Sequence, residues 1–217
     1  MAMLMKPVID PETEFFTEMM KLSYGEDVEK KLRALSSHVP WAKGWPENKK
    51  AFWNAEAFMW SRKITKEKRA LIAEELAFLK GRNLDLGCGA YSYLPSTGFD
   101  LSEKMLQFNE QCYEKVIGDV EKSLPFADGS FDSVTAIFLL NYVVDYQQLL
   151  TELYRVLKNE GYAVVVLSLK KINDWQRQKE VHSFSSDMLA EQMVLAGFQV
   201  HAQKKEDLLF VKGLKAI

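Results

Sequence analysis

Cysteine is scarce in this sequence, with only Cys88 and Cys112 among 217 residues. They form no Cys-x-x-Cys pair and stand in no histidine-rich stretch, which argues against a disulfide framework or a structural zinc site. Long apolar runs are lacking as well. No stretch reaches the roughly 18–20 residues that span a bilayer. The opening, MAMLMKPVIDPETEFF, has neither the apolar core nor the small-residue cleavage site of a signal peptide. The expectation is a cytoplasmic protein with no membrane partner. A surplus of positive charge is missing too: 28 Lys and Arg against 30 Asp and Glu leave a net charge of −2. A nucleic-acid partner would leave a basic footprint, so none is expected. There are no internal repeats and no low-complexity tracts.

What is present is an ordinary globular composition, 47% hydrophobic and 27% charged. The first part reads as helical. Asp10 caps a run with Pro11 at its first position and acids in its first turn. A second helix is expected from Glu47, after the breaks at Pro40 and Pro46, and a third from Thr65 to the stop at Gly81. From Asn83 the pattern alternates. Short apolar strands are expected at 83–86, 97–100, 115–118, 133–139, 162–167, 199–204 and 208–212, with helical patterns between several of them. That order makes an α/β fold with a mainly parallel seven-stranded sheet. The last two strands, with no helix between them, make an antiparallel pair.

In such a sheet, ligands bind beyond the carboxyl ends of the strands, where the strand order reverses. NLDLGCGAYSYLP, residues 83–95, ends the first strand with Gly87 and Gly89, which let the main chain approach a ligand. The dinucleotide fingerprint Gly-x-Gly-x-x-Gly is incomplete, because Ser92 occupies its third position, so a nicotinamide enzyme is disfavoured. Asp100 ends the second strand and can accept hydrogen bonds from two ribose hydroxyls. Asp119 follows the third strand and can accept one from an exocyclic amino group, with the Val120 N–H beside it for a ring nitrogen. Each aspartate alone reads equally well as a helix cap or turn residue. Their order along the chain is the argument.

LDLGCGA, GFDLSEKML, GDVEKSLPFADGSFDSV, FLLNYVVDYQQLLTELYRVLKNEGYAVVV and AGFQV…LLFVKG together resemble the class I S-adenosylmethionine-dependent methyltransferases. The small-molecule type, which includes ubiquinone and menaquinone biosynthesis enzymes, is the most similar. The resemblance covers about residues 82–213. It implies a Rossmann-like seven-stranded sheet, S-adenosylmethionine as cofactor and a small-molecule methyl acceptor. The helical first part and the resemblance to its end divide the chain into two expected units, 1–80 as a helical cap and 81–217 as the cofactor-binding methyltransferase domain. It also implies cofactor contacts for Asp85, Gly87, Cys88 and Gly89 at the methionine end, Asp100 and Leu101 at the ribose and adenine, Asp119 and Val120 at the adenine edge, and Phe138 near the sulfonium. The third loop glycine of the family is Tyr91 here. Asp85 and Asp100 are 15 residues apart, so the first crossover holds one or two helical turns at most, and Tyr91 would close the site instead.

Methyl transfer from a sulfonium is an in-line displacement that needs positioning and exclusion of water, and no metal. If the acceptor must lose a proton, His182 and Tyr142 are the candidate bases. A surface histidine and a packed tyrosine are the bland alternatives. Four of the five tryptophans fall within residues 41–60. Trp41, Trp45 and Trp60 are candidates for an aromatic acceptor wall, while Phe52, Trp53 and Phe58 read as core. Arg62 offers a partner for a carboxylate, although a solvated position is the commoner fate of a lone arginine. Two rival readings remain: a non-catalytic cofactor-binding regulatory protein of this fold, and an RNA or protein methyltransferase. The second lacks the basic charge, and FLLNYV stands where an Asn/Asp-Pro-Pro-Tyr motif would mark amino methylation.

Overall fold

The computed structural model describes residues 10–170 and 179–217. Asp10 opens α1 (Pro11–Ser23), its Oδ1 accepting the Thr13 N–H at 3.0 Å. α2 (Glu29–Ser36), a 3-10 turn at Pro40–Ala42 and α3 (Lys49–Lys63) follow. α3 starts later than its expected Glu47 because Asn48 is the cap, with its Oδ1 accepting the Ala51 N–H at 2.9 Å. Phe15, Met19, Leu32, Trp45 and Phe52 bury one another, giving α1–α3 a hydrophobic core of their own.

α4 (Lys66–Leu76) is capped by Thr65 and lies on the sheet, with Ile72 and Leu76 against Val164, Val166 and Phe210. It is a layer helix of the sheet, although it falls within residues 1–80. The strands are β1 (Asn83–Leu86), β2 (Ser96–Asp100), β3 (Cys112–Ile117), β4 (Phe131–Ile137), β5 (Leu157–Ser168), β6 (Gln199–Lys205) and β7 (Leu208–Leu214). They form one sheet in the order β3-β2-β1-β4-β5-β7-β6. The first five run parallel. β7 inserts between β5 and β6 and is antiparallel to both, so the expected single antiparallel pair is two pairings. α5 (Glu103–Phe108) follows β2, α6 (Tyr146–Val156) follows β4, and α7 (Ser186–Leu195) precedes β6. α6 and α7 cover the face opposite α4 through Leu149, Leu153, Leu189 and Met193. With both faces covered, all four residues of β1 are buried.

Two local features have local causes. α6 stops at Val156 because the Gly129 and Ser130 N–H groups take the carbonyls of Arg155 and Val156 at 3.0 and 2.8 Å. The crossover 87–95 contains no helix. It lies directly on β2 at Gly98, where a Cβ would collide with the Cys112 and Cys88 sulfurs. A buried polar network holds it down. Asn109 Nδ2 donates to Gly89 O at 3.0 Å and Ser92 Oγ at 2.9 Å, and Ser92 Oγ donates to Asp85 Oδ2 at 2.6 Å.

Candidate functional site

The strand order reverses between β1 and β4, and a cavity opens there at the carboxyl ends of β1–β4. The empty space around it, open solvent at its mouth included, is about 600 Å3. Its floor is made by the strand ends: Gly87 and Gly89 after β1, Asp100 and Leu101 at β2, Asp119 and Val120 after β3, and Phe138 and Leu139 after β4. Its roof is α3, which contributes Lys49, Trp53 and Trp60 at helical spacing.

Both glycines are required. Gly87 and Gly89 have φ of 58° and 57°, and a Cβ on Gly87 would stand 2.5 Å from Leu139 Cδ1. Phe138 also takes a positive φ, 55°, held by its N–H donating to Val166 O at 2.8 Å. A left-handed phenylalanine is strained, and such strain persists where surrounding contacts enforce it. Here it turns the chain across the cavity floor.

Asp100 is buried, which raises its carboxyl pKa to about 6, while the backbone N–H groups of Ser102 and Gly89 oppose that rise. Oδ1 accepts Ser102 N at 2.8 Å and Oδ2 accepts Gly89 N at 2.9 Å. Each oxygen keeps a further acceptor site for a ligand hydroxyl. Asp119 lines the cavity, and its Oδ1 accepts the Glu121 N–H at 3.1 Å. Ser102 Oγ donates to Asn54 Oδ1 at 2.7 Å, and Asn54 Nδ2 donates to Trp41 O at 3.0 Å. Buried Asn54 thereby pins α3 to the turn that carries Asp100. At the mouth, Lys49 pairs with Glu121 at 3.2 Å, and Glu121 Oε1 also accepts the Val144 N–H at 2.8 Å.

The structure corrects several assignments. Asp85 does not face the cavity. Thr135 and Ser92 occupy its two oxygens at 2.8 and 2.6 Å, and burial lifts its pKa to about 6. Cys88 is buried beneath the crossover with Cys112 and Leu106. Tyr91 turns away, stacked edge-on with Tyr93 and lying under the Arg69 guanidinium, whose Cζ is 4.5 Å from its ring centroid. Trp41 and Trp45 pack around Phe15, with centroids 5.5 and 6.0 Å from its ring, and do not line the cavity. His182 also stands outside it. Its Nε2 lies 2.9 Å from Val144 O, which turns that edge of the ring away from the cavity. The Arg62 side chain lies outside the described residues.

Tyr142 does line the cavity, edge-on to Trp53 with centroids 4.9 Å apart. Burial pushes its phenol pKa far above the ordinary value. It stays protonated and offers a hydrogen-bond donor, not a base. The sequence reading missed Lys49, Met105, Ile137, Leu139 and Val143, and assigned Trp53 to the core. Among the described residues no group of His, Cys, Asp and Glu side chains is placed to hold a metal ion. No helix among them is long and apolar enough to cross a membrane.

Comparison with known proteins bears on this geometry. Residues 84–165 match the family model described as a methyltransferase domain. A demethylmenaquinone methyltransferase from Listeria welshimeri is 43% identical over 89 residues, 37% of this chain and 38% of that relative. The match thus spans well under half the length of that curated relative. Among solved structures, a chain of the Haloferax volcanii complex that contains the Trm112 methyltransferase activator aligns with a TM-score of 0.62 at 20% identity, over 76% of this chain and 98% of that one. A SAM-dependent methyltransferase from Archaeoglobus fulgidus aligns with a TM-score of 0.58 at 18% identity, over 68% and 94%. These two likenesses concern the fold. Residues 84–165, from β1 into β5, are thus similar to a methyltransferase domain, and the acids at the strand ends fall within or beside that match.

Proposed function

We propose that the protein transfers a methyl group from S-adenosylmethionine to a small-molecule acceptor held between α3 and the carboxyl ends of the strands. The observation that carries this is the single cavity wall on which Asp100, Asp119 and the glycine turn meet the aromatic face of α3. The donor set fits the cofactor. Asp100 has an open acceptor site on each oxygen for the ribose diol, and Asp119 can accept from the adenine amino group. A side chain at Gly87 or Gly89 would fill the space beside them. When bound, S-adenosylmethionine supplies an activated methyl group on a sulfonium.

The residues of this chain then have three tasks. Asp100 and Asp119 orient the adenosyl end. Trp53, Phe138, Leu139 and Val143 exclude water and present a flat apolar surface to the acceptor. Tyr142 donates a hydrogen bond to an oxygen or nitrogen of the acceptor. No base is assigned, since His182 is turned to Val144 O and Tyr142 is held protonated. The name of the Listeria relative puts aromatic, quinone-derived acceptors first in the test panel. In this reading residues 1–80 act as the cap, through α3, on a cofactor-binding domain at 81–217. A cytoplasmic setting belongs to the same proposal, in keeping with two free, buried thiols. The test is transfer of label from methyl-labelled cofactor to a panel of aromatic phenols, amines and carbon acids. Label appearing in a small product supports the reading. Saturable cofactor binding with no transfer to any acceptor supports a non-catalytic binding protein instead.

A further inference from the structure

The glycine turn bordering the expected methionine end has already committed its N–H groups. Gly87 N and Cys88 N donate to Phe99 O at 2.8 and 3.4 Å, and Gly89 N donates to Asp100 Oδ2 at 2.9 Å. A carboxylate lying against this turn therefore needs a donor from elsewhere. Trp60 is in position to give one. It lies on the last turns of α3, on the cavity wall, and its indole Nε1 is 3.0 Å from where a Cβ on Gly89 would stand. Gly89 has no side chain, so the indole edge closes directly over the turn. Among the described residues the Trp60 indole N–H meets no acceptor in the protein. An indole N–H only donates, so it selects an acceptor group and not an ammonium.

We propose that Trp60 binds the cofactor and not the methyl acceptor, its indole N–H donating to the carboxylate at the methionine end. The proposal rests on the S-adenosylmethionine reading above and deepens it. It makes α3 a structural part of the cofactor site at two points. Asn54 braces the Asp100 turn from one side, and Trp60 reaches the glycine turn from the other. The ring also packs against the cluster of Ile64, Ile72 and Phe138, which fixes its orientation before a ligand arrives.

The test compares two ligands that differ at the methionine end. S-adenosylhomocysteine carries the carboxylate, and 5′-methylthioadenosine lacks it. Trp60→Phe keeps the ring and removes the N–H. Calorimetry should show S-adenosylhomocysteine affinity falling about tenfold or more, as for loss of a hydrogen bond to a charged group. Methylthioadenosine affinity should stay within about twofold of wild type, which also reports that the variant is folded. Unchanged S-adenosylhomocysteine affinity, or equal loss of both ligands, overturns the assignment. Wild-type protein that binds neither ligand overturns the cofactor reading itself. Should the variant not fold, wild-type protein with 15N-labelled tryptophan gives the same answer. One indole resonance should move downfield with S-adenosylhomocysteine and not with methylthioadenosine, and the absence of such a resonance overturns the proposal.

Discussion

Asp100→Asn is the substitution whose consequences the structure defines most fully. In the wild type a buried carboxylate is held by two backbone N–H groups, from Ser102 at 2.8 Å and Gly89 at 2.9 Å. Burial raises its pKa from the ordinary carboxylate range to about 6, so the ionised form at pH 7 carries a folding penalty of about 3 kcal/mol. Asparagine removes that penalty. It also turns one oxygen into an NH2 that faces Ser102 N or Gly89 N, and a buried donor left without an acceptor costs about 1–3 kcal/mol. The two effects oppose each other, so folding stability should shift by no more than about 2 kcal/mol. Cofactor binding has no such compensation. One of two charge-assisted bonds to the ribose diol is lost, worth about 1.5–3 kcal/mol, or roughly tenfold to 150-fold in affinity. Calorimetric titration with S-adenosylhomocysteine at pH 7, run beside thermal unfolding, separates the two. A variant that unfolds like the wild type and binds within twofold of it would refute the assignment of Asp100 to the ribose.

Four other outcomes follow from the same geometry. The folded pKa of Asp100 and of Asp85 lies above the unfolded value, so their contribution to stability is present below about pH 4 and is lost as pH rises to about 6. Because the ribose needs the carboxylate form of Asp100, cofactor affinity should fall as pH drops below 6 in the wild type but not in Asp100→Asn, and calorimetry across pH 5–8 would show it. Asp119→Ala should weaken S-adenosylhomocysteine by about 1 kcal/mol and weaken its inosine analogue less, whereas equal losses would detach Asp119 from the adenine amino group. Trp45→Ala should cost about 3–5 kcal/mol in denaturant unfolding and leave cofactor affinity of the folded protein unchanged. A change in cofactor affinity would return Trp45 to the site. His182→Gln should leave the pH profile of kcat/KM unaltered, and loss of a limb of that profile would make His182 a base.

Most of the sheet was legible in the sequence, because strands such as β5 and β7 hold short apolar runs and the parallel core buries both faces of β1. The acids were legible too, since Asp100 and Asp119 end or follow strands and strand ends converge on one rim. The first crossover was less so. Its short length excluded a full helix, but the substitute is a network of Asn109, Ser92 and Asp85 that joins residues far apart in the chain. That network also withdrew Asp85 from the cavity. The tryptophans were separable in principle. Trp53 and Trp60 are seven residues apart on α3 and share its cavity face with Lys49, whereas Trp41 and Trp45 precede the helix and bury against Phe15. The position of Leu139 against Gly87, and the turn of Phe138 into a positive φ, depend on tertiary contacts that no local pattern encodes.

The central claim is that one cavity, floored by the ends of β1–β4 and roofed by α3, holds the adenosyl cofactor. A crystal structure of the protein grown with S-adenosylhomocysteine tests it most directly. The account predicts the ribose hydroxyls on Asp100, the adenine amino group at Asp119, and the thioether facing the space between Phe138 and Trp53. S-adenosylhomocysteine bound elsewhere, or bound in this cavity with its adenine away from Asp119 and its ribose away from Asp100, would contradict it.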